Sequence, residues 1–168
     1  MITPAYCATM VRYNAWQNNQ LKPLLTALPE AELTRDRGAF FGSIFETANH
    51  LLWGDLMWMH RLDGGAEPPV DAAEHRRLTK NLAEWIGLRD AADERISIWF
   101  NAIRPEQLAG DLRWHSKISG TDKVTPMAQC VMHLFNHQTH HRGQIHAMLT
   151  AAGSEAPVSD LALMPEEP

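Results

Sequence analysis

Helical periodicity is the feature that most restricts how this chain can fold. Apolar residues recur every three or four positions along four long segments, whereas alternating strand patterns are scarce. The last segment follows Thr125-Pro126, a hydroxyl cap and a proline suited to a first helical turn. The predicted helices cover residues 5–28, 44–62, 71–103 and 126–152. Four helices of this length predict an all-α four-helix bundle.

Two connections between these helices are long. Residues 29–42 contain Pro29, Gly38 and Gly42, which predict a loop. Residues 105–124 lie between the third and fourth helices and do not follow the helical pattern. We expect either a short hairpin or an irregular crossing loop there.

The length of the chain favours one domain. We interpret residues 1–168 as a single domain with its core in residues 5–152, because 168 residues is an ordinary domain size. Residues 153–168 form a predicted tail that begins at a glycine. We expect the tail to dock through its apolar side chains, Leu161, Leu163 and Met164.

Charge and cysteine content exclude several functional classes. Lys plus Arg number 15 and Asp plus Glu number 20, so the net charge of -5 disfavours nucleic acid as a partner. No apolar segment is long enough to span a membrane, and the N-terminus does not resemble a secretion signal. Cys7 and Cys130 form no CxxC motif. We therefore expect a reduced, cytoplasmic protein without a membrane partner.

The fourth predicted helix is rich in histidine. Five of the nine histidines lie between residues 133 and 146. At about 100° per residue, His141 lies within the apolar stripe of this helix and His137 lies at its edge. His133 and His140 fall outside the stripe, and His146 points away. A metal in the bundle core would therefore bind His137 and His141, whose spacing of four residues suits a shared ion.

A third ligand must come from another helix, and His50 is the best candidate. It lies midway along the second helix among apolar residues, where an imidazole needs a partner. Gly54, one turn later on the same side, leaves room for an approaching group. The remaining histidines, His60, His75 and His115, are interpreted as surface or otherwise satisfied residues.

Two other interpretations of the histidines stay open. A histidine on an apolar face can be a hydrogen-bonded core residue, and a histidine-rich helix can be a solvated surface. A di-iron bundle is disfavoured, because no Glu is followed three positions later by His. The motifs HExxH, GxSxG and GxGxxG are also missing from the sequence.

Three stretches of the sequence resemble the DinB family of damage-inducible proteins. They are YNAWQN at residues 13–18, NHLL at residues 49–52 and HQTHHRGQ at residues 137–144. The pattern NHxxxHRGQ, which begins at Asn136, is the most specific of them. The resemblance spans about residues 5–163, in the same order as in the family.

The resemblance implies a DinB/YfiT-like four-helix bundle, often a homodimer, with a divalent metal held by His50, His137 and His141. Some relatives are metal-dependent transferases that join a low-molecular-weight thiol to an electrophile, and others are described as metal-dependent hydrolases. Imidazole ligands suit one divalent transition metal, with zinc or nickel favoured over iron or copper. The expected partner is a small-molecule substrate, which for the transferases includes a thiol.

Three histidine ligands leave a coordination position open, as in catalytic rather than structural metal sites. We therefore expect a metal-dependent thiol transferase or a related hydrolase. The alternative is a non-catalytic bundle in which the metal stabilises the fold or a dimer. Helix faces suggest further pocket residues, without assigning a general base: Asn14, Asn18, Trp53, Met57, Arg61 and Gln144. For Trp53 and Met57, plain packing in the core is the favoured interpretation.

Three other polar residues lie beside the predicted ligands in sequence. Arg142 is turned about 100° away from His141, so we expect a salt bridge or a dimer contact rather than chemistry. Asn136 and Gln138 flank His137 and either hydrogen-bond to the ligands or are exposed.

Overall fold

The protein is mostly helical, with one small sheet. The computed structural model describes residues 2–117 and 119–166. The long helices are α1 (Pro4–Ala27), α3 (Ile44–Asp63), α4 (Leu82–Asn101) and α6 (Met127–Ala151). Two short helices, α2 (Glu30–Thr34) and α5 (Pro105–Ala109), lie in the connections. Two 3-10 helices cover Ala72–Arg77 and Leu161–Leu163, and the strands are β1 (Asp111–Ser116) and β2 (Thr121–Pro126).

The four long helices pack together as predicted, but the fold is not purely helical. Helix α1 packs mainly against α4, and α3 packs against both α6 and α4. The region between α4 and α6 forms an antiparallel hairpin in which Asp111 pairs with Pro126 and Ser116 with Thr121. The all-α prediction is thus confirmed only in its helical part. Among the described residues, no helix is long and apolar enough to cross a bilayer.

Side-chain caps fix where three of the long helices begin. Thr3 Oγ1 accepts a hydrogen bond from the Tyr6 amide at 3.2 Å, and Ser43 Oγ accepts one from Glu46 at 3.1 Å. Each cap satisfies an amide that has no partner within its helix. Helix α3 ends at Gly64, whose φ of 70° is a left-handed conformation that glycine adopts without steric cost.

The third predicted helix is interrupted, which corrects the prediction of one helix over residues 71–103. Residues Ala72–Arg77 form a 3-10 helix, and α4 begins only at Leu82, where Asn81 Oδ1 accepts the Glu84 amide at 2.9 Å. The intervening Thr79 donates two hydrogen bonds to Asn49 Oδ1, from its amide at 3.1 Å and its hydroxyl at 2.8 Å. These bonds hold the 3-10 helix against α3.

Two further expectations need correction near the hairpin and the first loop. Thr125 and Pro126 belong to β2, so α6 begins at Met127 and no side chain caps it. The Met127 amide instead donates to the Gly110 carbonyl at 2.8 Å. Within the predicted loop at residues 29–42, the structure has the short helix α2. Ile118 of the predicted hairpin region and residues 167–168 of the tail lie outside the described residues.

Buried apolar side chains form two clusters along the bundle. One cluster contains both cysteines, Cys7 and Cys130, together with residues such as Phe100 and Phe135. The other contains residues such as Leu52 and Trp85. Along α1 and along α6, buried polar residues lie between the apolar residues of the first cluster and those of the second.

These polar residues belong to a buried layer that connects all four long helices. Arg89 of α4 donates to Asp55 of α3 at 2.5 Å and pairs with Asp93 at 2.8 Å. Gln138 Nε2 of α6 donates to the other Asp55 oxygen at 3.0 Å, and Asn18 Nδ2 of α1 donates to Asp93 at 2.9 Å. We call these residues, with Asn14 and Arg142, the polar layer. Its charges are compensated within the chain, as burial requires.

The C-terminal tail is attached by its backbone. Tyr13 Oη donates to the Ser159 carbonyl at 2.6 Å, and Gln17 Nε2 donates to the Val158 carbonyl at 2.6 Å. The apolar side chains predicted to dock behave differently, because Leu161 and Leu163 are exposed and only Met164 is partly buried. The prediction that the tail docks through its leucines was wrong. The tail is held instead by side chains of α1 that donate hydrogen bonds to its backbone carbonyls.

The ion pair at the centre of the polar layer gives a test of the packing. We expect Arg89→Met to lower the free energy of unfolding by about 3–5 kcal/mol at pH 7, because it leaves Asp55 buried without a cation. Urea denaturation measures the change. The control is Arg77→Met, which removes an exposed contact of 3.8 Å with Glu74 and should have little effect. Equal stability of the two variants would contradict this account.

Candidate metal centre

Three histidine side chains from two helices meet at one point. His50 Nε2 of α3 lies 3.1 Å from His137 Nε2 and 3.1 Å from His141 Nε2, both on α6. One ligand atom from each residue falls within 4.8 Å of the others, an arrangement able to hold a metal ion. The structure therefore brings together the three predicted ligands. Their binding of a metal remains a prediction.

The spacing of the nitrogens suits a transition metal. Zinc–nitrogen bonds of about 2.0–2.1 Å at tetrahedral angles place ligand nitrogens about 3.3 Å apart. The two separations of 3.1 Å are close to this value. His50 Nε2 carries at most one proton, so without an ion it cannot donate a full hydrogen bond to both of the other nitrogens. The donor set thus fits a divalent ion with affinity for imidazole.

The outer ring nitrogens show how two of these imidazoles are oriented. His141 Nδ1 lies 2.8 Å from Gln144 Oε1, an oxygen that can only accept, so Nδ1 carries the proton and Nε2 keeps its lone pair. His50 Nδ1 lies 2.9 Å from His75 Nδ1. His137 Nδ1 is buried without a hydrogen-bond partner among the described residues. Hydrogen bonds to the outer ring nitrogen fix the tautomer and the orientation of metal-binding imidazoles.

Gly54 makes the close approach of α3 and α6 possible. A Cβ atom built at this position would lie 2.7 Å from His137 Cε1, closer than two carbon atoms can pack. It would also lie 3.3 Å from His137 Nδ1, which is a tight contact. The sequence predicted that this glycine leaves room near the site. In the structure, the room is taken by the His137 ring itself.

Burial keeps the imidazoles neutral. It lowers the pKa of His50 to about 3, and the nearby His141, His137 and His75 lower it further in the same direction. Burial also lowers the pKa of His137 to about 3, with smaller contributions from His141 and other histidines. The pKa of His141 is lowered for the same main reason. Neutral imidazole is the form that binds metals, so the site is prepared for an ion at neutral pH.

One side of the three histidines is covered by an aromatic ring. The ring of Phe41 lies 4.0 Å from that of His50 and 5.4 Å from that of His141, measured between centroids. Phe41 lies in the turn that ends at Gly42, whose φ is 80°. No sequence spacing pointed to Phe41, because its loop is positioned by contacts distant along the chain.

The other side opens into a cavity of about 230 Å³, which we call the aromatic cavity. Its lining includes His50, His137, Gly54, Trp53, Trp58 and Trp114. Arg61 lines it too, as its helix face predicted. Met57 and Trp53 also line it, although core packing was the favoured interpretation for both. A small molecule in this cavity would reach two of the three candidate ligands.

Other predicted pocket residues occupy different places. Asn14 and Asn18 are buried in the polar layer and do not line the aromatic cavity. Gln144 contacts His141 rather than the cavity. Arg142 forms no salt bridge with a described residue, and the other expected role, a dimer contact, stays a prediction. Its buried guanidinium donates to Asn14 Oδ1 and lies 5.6 Å from the Tyr13 ring centroid.

The two residues beside His137 differ from each other. Gln138 is fully buried and donates to Asp55, so it supports the helix packing and not a ligand. Asn136 is exposed, which agrees with the second of the two expected outcomes. Helical periodicity could not distinguish the buried Gln138 from the exposed Asn136, because the buried polar layer consists of the same residue types as a protein surface.

His75 was missed as a neighbour of the site. We interpreted it as a surface or satisfied residue, yet its ring lies 4.6 Å from that of His50, between centroids. The 3-10 helix brings it there, and the long helix predicted for this region would not have. The remaining histidines are not ligand candidates: His133 packs on Trp58, His140 contacts Gln144, and His60, His115 and His146 lie away from the three ligands.

Comparison with known proteins identifies the family of the chain. The model of the DinB family matches residues 1–167. The chain belongs to the DinB family. It is 28% identical over 158 residues to Protein DinB of Bacillus subtilis (strain 168), covering 92% of this chain and 90% of that protein.

A solved structure supports the fold independently. This DinB-family chain resembles the crystal structure of a DinB-like protein from Bacillus cereus ATCC 10987, with a TM-score of 0.55 and 18% sequence identity. The match covers 86% of this chain and 91% of the other. At this identity the likeness concerns the fold alone. The earlier assignment to the DinB family from short motifs is confirmed.

The contact between Gly54 and His137 gives a test of the geometry. We expect Gly54→Ala to weaken Zn²⁺ binding at least about tenfold, because the added methyl displaces the His137 ring. Competition with a chromophoric chelator measures the affinity. Gly143→Ala is the matched control, since no atom lies within 4 Å of its added Cβ, and it should bind Zn²⁺ normally. Equal affinity of both variants would show that the ring position does not matter.

The lowered histidine pKa values give a second test. Since His50 and His137 titrate at about 3, protons do not compete with the metal for them above pH 5. Because burial also lowers the pKa of His141, we expect the Zn²⁺ affinity to fall by less than about tenfold in total between pH 7.5 and 5.5. Ligands with an ordinary pKa of about 6.5 would each lose about tenfold over this range. Calorimetric titration at both pH values distinguishes the two outcomes.

Proposed function

We propose that this protein is a metal-dependent enzyme that transfers a low-molecular-weight thiol to a small electrophile. One observation carries the proposal: three imidazole nitrogens converge beside a cavity that reaches two of them. Three neutral ligands leave at least one position open on a four- to six-coordinate ion, which is typical of catalytic metal sites. The most suitable ions are zinc and nickel, followed by iron and copper.

The metal would supply the activation of the nucleophile. A bound divalent ion lowers the pKa of a thiol or a water molecule, so that either can act as a nucleophile near neutral pH. The thiol interpretation draws on the family resemblance. A related hydrolase would use the same position for water, and a non-catalytic bundle would use the metal only to stabilise the fold.

The side chains around the site have separable roles in this proposal. His50, His137 and His141 hold the ion, and Gln144 and His75 fix the orientation of two of these rings. Phe41 excludes water from the covered side. The tryptophans of the aromatic cavity provide an apolar surface for the carbon skeleton of a substrate.

Metal analysis tests the site. Untagged wild-type protein should contain about one equivalent of a divalent transition metal, and His141→Ala should lose most of it because one of three ligands is gone. His146→Ala is the matched control from the same helix and should keep the wild-type content. Circular dichroism verifies that both variants fold. Equal metal content in the two variants would remove the basis of the proposal.

A conjugation assay tests the reaction. Glutathione, cysteine and coenzyme A are each offered with monochlorobimane, using metal-loaded protein and chelator-treated protein. We expect metal-dependent conjugation that His141→Ala abolishes and His146→Ala retains. Hydrolysis of p-nitrophenyl acetate without conjugation would favour the hydrolase instead. Full metal occupancy with no turnover of any substrate would favour the non-catalytic bundle.

A further inference from the structure

Arg61 is held at the wall of the aromatic cavity in a fixed position. Its guanidinium carbon lies 4.7 Å from the Trp58 ring centroid and 4.2 Å from that of Trp114. Both tryptophans also line the cavity. The two rings lie 5.6 Å apart between centroids and are inclined at 61°, so the guanidinium packs against both of them on one side. These contacts restrict the side chain and leave guanidinium N–H groups that can donate.

This cation has no anionic partner in the part of the chain that the structure describes. Arg61 is partly buried, and burial lowers its pKa, yet it makes no hydrogen bond or ion pair with any described residue. Other restricted arginines differ in this respect. Arg89 pairs with Asp55, and Arg95 pairs with Asp63 at 2.7 Å. A desolvated cation without such compensation favours an anion from outside.

The rest of the cavity adds no negative charge. None of the described residues that line it is Asp or Glu. Its second cation, Lys117, is exposed and already lies 3.4 Å from Glu67. With a divalent ion on three neutral imidazoles, the cavity would carry a positive charge at the metal and another at Arg61. Such a cavity selects an anionic ligand.

We propose that Arg61 binds a carboxylate of the substrate, and thereby selects small molecules that carry this group at the end opposite to the reacting atom. The inference rests on the proposed function, since the metal defines where the reacting atom lies. A single guanidinium matches the charge and the two oxygens of a carboxylate. A phosphate dianion would bring a second negative charge. Among the described residues that line the cavity, no other unpaired Lys or Arg could balance it.

The distance between the two ends sets the length of the ligand. The helical rise between the Cα atoms of Gly54, beside His137, and Arg61 is about 10 Å. The Arg61 side chain reaches back to Trp58, so the guanidinium lies somewhat nearer to His137 than this. Trp53 and Met57 line the cavity along this path. A flat apolar spacer, such as a benzene ring, would therefore lie between the reacting end and the carboxylate.

Four probes separate the two ends of such a ligand. They are 4-(mercaptomethyl)benzoate, its amide 4-(mercaptomethyl)benzamide, and the corresponding 4-methylbenzoate and 4-methylbenzamide, which lack the thiol. Each is titrated calorimetrically into Zn²⁺-loaded protein. We expect each acid to bind at least about tenfold more tightly than its amide, because a charge-assisted pair replaces a neutral contact. Equal affinity of acids and amides would overturn the proposal.

Variants assign the preference to Arg61. Arg61→Met keeps an unbranched side chain against the two tryptophans and should bind acids and amides equally, while retaining its Zn²⁺ content. Arg113→Met is the matched control, because Arg113 lines a neighbouring cavity and not the aromatic cavity, and it should keep the preference. A preference that survives in Arg61→Met would overturn the assignment. Because the wild-type comparison of acid and amide needs no variant, the proposal stays testable even if Arg61→Met does not fold.

The thiol-free pair distinguishes this inference from the proposed function. If 4-methylbenzoate shows the preference, Arg61→Met abolishes it and the thiol adds no affinity, carboxylate binding by Arg61 is supported and thiol activation is not. If the thiol adds affinity to the amide and the acid adds nothing, the proposed function is supported and the role of Arg61 is refuted.

Discussion

The hydrogen bond between Asp55 of α3 and Gln138 of α6 is the interaction on which the candidate site depends. Asp55 follows Gly54 in sequence, and Gln138 follows His137. The 3.0 Å bond therefore fixes the register at which His137 lies over the glycine. Arg89 compensates the charge of the same carboxylate. The polar layer thus positions the candidate metal centre as well as joining the helices, because Asp55 and Gln138 of the layer are direct neighbours of Gly54 and His137 in sequence.

Sequence periodicity was sufficient for the parts of the fold that depend on local spacing. The positions of α1, α3 and α6 followed closely from their apolar pattern, and that of α4 followed only in part. The spacing of His137 and His141 placed both on one helix face. His50 and Gly54 could be selected because a polar group and a glycine are unusual in the middle of an apolar helix. The hairpin was one of two alternatives, and its pairing partners depend on contacts between strands.

The remaining features depend on contacts that no local pattern contains. Asn14 was predicted to line a pocket and Arg142 to form a salt bridge or a dimer contact, and only the packing of the helices shows that Arg142 donates to Asn14 inside the protein. His75 approaches His50 because Thr79 bonds to Asn49 and because Asn81 starts a new helix. The pair Asn81 and Glu84 was a capping signal available in the sequence, and it marked the interruption that our single long helix overlooked.

The burial of both cysteines has a consequence for how the protein responds to alkylating reagents. Cys7 and Cys130 lie in the apolar cluster, and neither lines the aromatic cavity. Burial raises the pKa of the Cys7 thiol to about 11 and also raises that of Cys130. Both sulfurs therefore stay protonated and poorly nucleophilic in the folded state. Both cysteines should therefore resist alkylation by soft electrophiles in the folded protein and react only after unfolding exposes their thiols.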